Sequence, residues 1–102
     1  MKSTSDTLVM IADFVLHPER RAEFLAYTTE NLGLSRGAEG NLAFDILLDE
    51  ADPARVTFYE EWTSAEAQQA YMAWRVERGD LEILTSFLAT PPAFRAFRRV
   101  MA

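Results

Sequence analysis

The sequence predicts an α+β domain: a four-stranded antiparallel sheet backed by helices, in the order β-α-β-β-α-(α)-β. Three observations carry this reading. Short runs rich in β-branched, aromatic and other apolar residues stand at 8–16, 41–48, 55–62 and 94–100. The segments after the first and third runs repeat their apolar residues at helical spacing instead. The second and third runs are only about six residues apart, which suits a hairpin. A chain of 102 residues makes one domain, 1–102, with no room for another.

Residues 8–16 (LVMIADFVL) are apolar except for Asp13 and stop at His17-Pro18, giving the first strand. Pro18 at a first helical position, followed by Glu19, opens a helix with an acid near its positive end. Ala22, Leu25, Thr29 and Leu32 predict its packed face, and the pattern fades between Gly33 and Gly37. Gly40 punctuates the chain before the second strand (NLAFDILL), and Asp52-Pro53 marks the turn into the third (RVTFYEEW). Thr63 with Glu66 reads as a capping box for a second helix, whose apolar face is Ala67, Ala70, Tyr71 and Trp74. Gly79-Asp80 interrupts it. Leu81, Leu84, Phe87 and Leu88 then predict a third helix, ended by Pro91-Pro92 before the last strand. This order is ferredoxin-like. The polar residues 1–7 are expected to form a flexible N-terminus.

Composition narrows the function. Hydrophobic residues make up 49% of the chain, enough for a packed core. A net charge of -6 argues against nucleic acid, whose phosphates are met by Lys and Arg. Arg95, Arg98 and Arg99 near the C-terminus read as a solvated or interface-paired strand. With no cysteine there is no disulfide, thiolate metal site or Cys nucleophile. No apolar run has a signal peptide's form or approaches the roughly 20 residues of a membrane helix. The expectation is a soluble cytoplasmic protein with neither membrane nor nucleic-acid partner. No nucleophile elbow, phosphate-cradling loop or dinucleotide fingerprint is present.

The strands also carry a quaternary expectation. A sheet with one wet face alternates apolar and polar residues. Strand one instead holds Met10, Ala12 and Phe14 on one parity and Val9, Ile11 and Val15 on the other, where Asp13 intervenes. Helices cover one face; a second copy of the chain covers the other most simply, so a homodimer is expected.

Three stretches resemble the antibiotic biosynthesis monooxygenase (ABM) family. The segment from Ser35 through Gly37 and Gly40 to Leu42 looks like the family's join between first helix and second strand. Glu60 and Trp62 fall at the fixed positions of its E-x-W motif, and the opening strand followed by His17-Pro18-Glu19 also fits. The likeness runs over nearly the whole chain. It implies a dimeric α+β barrel with a pocket between sheet and helices, and relatives that oxidise phenols or quinols with O2 without cofactor. Many relatives have a histidine nine positions after the motif tryptophan, where this chain has Tyr71. The lone histidine, His17, sits at a strand-to-helix corner and reads as a turn or capping residue. Haem degradation and histidine-ligated zinc or iron are therefore set aside.

The candidate catalytic residues are Tyr71, Glu60 and Asp13; those for substrate binding are Trp62, Asn41, Phe44 and Trp74. A flat aromatic would stack near Trp62, Phe44, Tyr71 and Trp74; the competing reading makes Trp62 a core aromatic and Tyr71 and Trp74 a helix face packed on the sheet. Glu60 and Asp13 lie in strands among apolar neighbours, where desolvation would raise a carboxyl pKa toward a general base for a phenol. The competing reading pairs them with Arg36, Arg55 or Arg95 across the sheet or across the dimer. Asn41 is either a turn residue or a donor to a bound carbonyl. The expectation is a cofactor-independent monooxygenase of a small aromatic substrate and O2, or else a dimeric module that binds such a ligand without catalysis.

Overall fold

Eight residues of apolar pattern at a time, the chain builds β1 (Leu8–Val15), β2 (Asn41–Leu48), β3 (Arg55–Trp62) and a shorter β4 (Ala93–Arg98). A 3-10 turn at Pro18–Arg20 leads into α1 (Arg21–Arg36), and α2 (Ala65–Glu77) and α3 (Asp80–Thr85) lie between β3 and β4. The computed structural model describes residues 7–100, so all but Thr7 of the polar N-terminal segment lies outside the described residues. The four strands form one antiparallel sheet in the order β2-β3-β1-β4. The α+β, ferredoxin-like order predicted from the sequence is the order found. No helix among the described residues is long and apolar enough to cross a membrane.

Register decides which side chains meet. Met10 pairs with Glu60, Ala12 with Phe58 and Phe14 with Val56, so these residues share the face that the helices cover. There Phe14 packs on Phe24 of α1 at 5.7 Å and on Phe58 at 4.6 Å between ring centroids. Removing a fully buried ring such as Phe24 would cost about 3–5 kcal/mol. The opposite face carries Val9, Ile11, Asp13, Val15, Thr57, Tyr59 and Glu61, all only half-buried in the single chain. All of β4 is exposed, with Phe94 on one face and Phe97 on the other.

The helices differ from expectation in phase. The buried stripe of α1 is Phe24, Thr28 and Ser35, while Ala22 and Thr29 are exposed. Counting only apolar residues missed it, because a hydroxyl can be buried once it is bonded: Thr28 Oγ1 donates to the Phe24 carbonyl at 3.0 Å. In α2 the buried residues are Gln68 and Tyr71, and Ala70 and Trp74 face out. The cap of α2 is Ser64, whose Oγ accepts from the Ala67 N–H at 3.1 Å. Thr63 is held instead in the preceding turn, its N–H donating to the Gly40 carbonyl at 2.8 Å. Gly40 itself has φ +87°, and a Cβ there would lie 2.6 Å from that of Ala67. Phe87 and Leu88 are buried but follow α3, and Leu88 bridges to Leu16. His17 occupies the predicted corner, exposed and with no side-chain cap bond.

Candidate active site

Between the sheet and the three helices lies a cavity of about 60 Å³. Ala12, Phe14, Phe44, Phe58, Glu60 and Phe94 form its sheet wall. Tyr27, Thr28, Asn31 and Ser35 come from α1, Tyr71, Met72 and Arg75 from α2, and Asp80, Leu81 and Leu84 from α3. The wall is aromatic and aliphatic with a few polar groups gathered toward the helices, the usual composition of a small-molecule site.

Strand alternation delivers Glu60 to this wall, between Phe58 and Trp62 on the covered face. Glu60 is 4% exposed and has no ionic partner among the described residues. Its Oε1 accepts from Trp62 Nε1 at 2.9 Å. Burial pushes its carboxyl up to about 7, against the opposing pull of the Trp62 bond. Trp62, wholly buried, stands behind the wall with its ring 4.9 Å from that of Tyr71.

Tyr71 is the hub of the polar side. Its hydroxyl lies 2.5 Å from Ser35 Oγ and accepts from Arg75 Nη1 at 2.7 Å. Burial raises its pKa and the Glu60 charge adds to the rise, while Ser35 and Arg75 pull it down. Arg75 Nη1 also reaches Ser35 Oγ at 3.3 Å, and its Nε donates to Asp80 Oδ2 at 2.6 Å. Asp80 follows Gly79, whose φ of +85° makes the break between α2 and α3. Burial works against the charge on Asp80, but the bonds from Arg78 and Arg75 prevail and hold its pKa below the ordinary value.

The predicted residues divide cleanly. Glu60, Phe44 and Tyr71 line the cavity, and Trp62 buttresses two of them. Asp13 is on the opposite face of the sheet, where its Oδ1 accepts from Thr57 Oγ1 at 2.6 Å. Asn41 uses its Nδ2 on the Ala43 and Glu61 carbonyls, 3.1 and 3.4 Å away, across a bulge in β2. Trp74 is 42% exposed and borders an outer groove between α1 and α2, with the Arg78 guanidinium 5.1 Å from its ring centroid. Within the single chain, no arginine among the described residues pairs with Glu60 or Asp13: Arg36 turns to Asp45 at 3.5 Å. Sequence reasoning missed Ser35, Arg75 and Asp80. A signal existed in the Tyr71/Arg75 spacing of four, which puts both on one helix face. Nothing in the sequence pointed Ser35 at either.

The family model for antibiotic biosynthesis monooxygenases matches residues 7–100. The chain belongs to that family. No curated relative matches the sequence of this ABM-family chain. A solved structure described as an antibiotic biosynthesis monooxygenase is similar with a TM-score of 0.83 and 22% identity, covering 91% of this chain and 98% of its own. A protein from Mycobacterium tuberculosis gives 0.85 and 16%, covering 94% and 97%. A conserved protein from Methanosarcina mazei Go1 gives 0.85 and 16%, covering 91% and 92%. At such identities these structures speak for the fold. Among the described residues of this ABM domain, no group of three or more His, Asp or Glu is assembled that could hold a metal.

Proposed function

We propose that the chain is a cofactor-independent monooxygenase of small phenol- or quinol-type aromatics, acting in the cytoplasm as a homodimer. One observation carries the proposal: a buried carboxyl with no ionic partner among the described residues, poised near pH 7, on the wall of an aromatic cavity. Glu60 takes the substrate's hydroxyl proton, and the Tyr71 hydroxyl, held by Ser35 and Arg75, donates to the oxygen left negative. The electron-rich ring then reduces O2 itself. One oxygen atom joins a ring carbon, and the other leaves as water with two hydrogens from the substrate. A phenol plus O2 thus balances as a quinone plus water. The protein contributes desolvation and positioning.

The homodimer reading rests on the open sheet face, where Val9, Ile11, Val15, Leu47 and Phe97 remain partly or largely exposed. A non-catalytic ligand-binding module is the second reading. It is favoured by the Tyr71 hydroxyl already being engaged by two neighbours, in the position where many relatives have a histidine.

An oxygen electrode with a panel of phenols and quinols separates the two. Substrate-dependent uptake should fall by about 10²–10⁴ in Glu60→Gln, the range of a lost general base. Ligand binding with no uptake by the wild type would leave the module reading in place.

A further inference from the structure

We infer that Arg75, positioned by Asp80, is the specificity-determining cation of the cavity and selects aromatic ligands bearing one anionic oxygen group, a carboxylate or an ionised hydroxyl. The inference rests on the cavity being the ligand site, and adds the charge of what enters it.

The chain as a whole is acidic, at -6, yet this wall has a surplus of positive charge. Arg75 Nε and Arg78 Nε both donate to the same oxygen of Asp80, at 2.6 and 2.8 Å. Two guanidinium groups on one carboxylate leave one positive charge unmatched. The Arg78 side chain is 42% exposed, so water screens it; that of Arg75 is only 12% exposed. The unscreened surplus is therefore on Arg75. Glu60, across the cavity, does not cancel it in its protonated form.

A purely structural role accounts poorly for this arrangement. Asp80 already has Arg78 as a partner, and withdrawing a second guanidinium from water is costly. What Arg75 adds is a fork. Its Nε edge is fixed by Asp80, and its Nη1 reaches Tyr71 and Ser35, both on the cavity wall. Arg75 also lies within hydrogen-bonding reach of the Tyr27 hydroxyl on the same wall. The guanidinium thus presents its positive charge to an anionic oxygen placed beside the Tyr71 hydroxyl. The Tyr27 hydroxyl, which feels the Arg75 charge, borders the same spot. Asp80 sets the fork's direction because it is itself held at the Gly79 break and approached by Tyr27 at 3.4 Å.

The test is calorimetric titration of the full chain at pH 6 with benzoate and with benzamide, a neutral molecule of nearly the same shape. Benzoate should bind at least about tenfold more tightly, as one charge-assisted hydrogen bond implies. A nitrophenol followed across its own ionisation shows whether an ionised hydroxyl serves as well as a carboxylate. Arg75→Gln should bring the benzoate-to-benzamide affinity ratio down to within threefold of one, with Arg75→Lys intermediate. Asp80→Asn separates positioning from charge. It makes the wall more positive, so simple electrostatics would strengthen benzoate binding, whereas loss of positioning weakens it. Equal wild-type affinity for benzoate and benzamide overturns the inference and leaves the cavity reading standing; binding of neither overturns both. Tighter benzoate binding in Asp80→Asn overturns the role given to Asp80. None of these outcomes depends on oxygen uptake.

Discussion

Glu60→Gln probes the fold and the proposed chemistry at once, because the carboxyl it removes is protonated more readily in the folded chain than in the unfolded one. Its pKa rises from the ordinary 4.5 to about 7, chiefly through burial. For an acid raised in this way the folded state holds the proton where the unfolded state has released it. Stability is therefore fully present below about pH 4.5 and declines as pH climbs to about 7. At about 1.4 kcal/mol for each pH unit between those values, the loss approaches about 3.5 kcal/mol, a large part of a small domain's stability. Glutamine keeps the shape and an oxygen for Trp62 Nε1 but cannot ionise. Urea unfolding of both proteins at pH 5, 6, 7 and 8, at one fixed protein concentration, should give similar stabilities at pH 5. By pH 8 the variant should be the more stable by about 3 kcal/mol. Two curves that stay parallel across this range would refute the reasoning and mean that Glu60 ionises freely in the folded protein.

Other expectations are more local. Trp62→Phe leaves a void behind the cavity and takes from Glu60 its one hydrogen-bond donor among the described residues, so unfolding should come easier by about 1–3 kcal/mol, and the Glu60 titration read from the pH profile should move higher. Gly40→Ala forces a side chain onto a φ of +87° and against Ala67 and Thr63, and should lower stability by about 1–3 kcal/mol in thermal unfolding. Sedimentation at micromolar concentration should report about twice the 11.6 kDa chain mass, and a clean monomer would remove the homodimer from the proposal.

Much of the fold was legible because strands and punctuation announce themselves locally. The bounds of β2 and β3 follow from β-rich runs set between Gly40, Asp52-Pro53 and Thr63. Helix faces were not legible in the same way. The stripe that α1 buries includes Thr28 and Ser35, whose hydroxyls are satisfied inside the structure and so behave as core residues there. The site divided along the same line. Glu60, Phe44 and Tyr71 could be nominated from strand and helix patterns, whereas Arg75 and Asp80 depend on how α3 folds back after Gly79. Asp13 shows the limit of parity arguments. Apolar neighbours on one strand do not say which face of the sheet holds the cavity.

The pleat of β3 turns two adjacent, identical side chains into different chemical species. Glu60 faces the dry side and holds its proton to about pH 7. Glu61 faces the other way, where bonds from the Tyr59 hydroxyl at 2.8 Å and Arg99 at 3.5 Å keep its pKa below the ordinary value. The sheet thus acts as an insulator one residue thick. It follows that the loop at 49–54 can lengthen without touching the cavity, because β3 keeps its pairing with β1. A single residue inserted between Val56 and Glu60 is another matter. It would rotate the proton-holding acid outward and bring its neighbour in, exchanging the two charge states without altering the composition of the strand's acids.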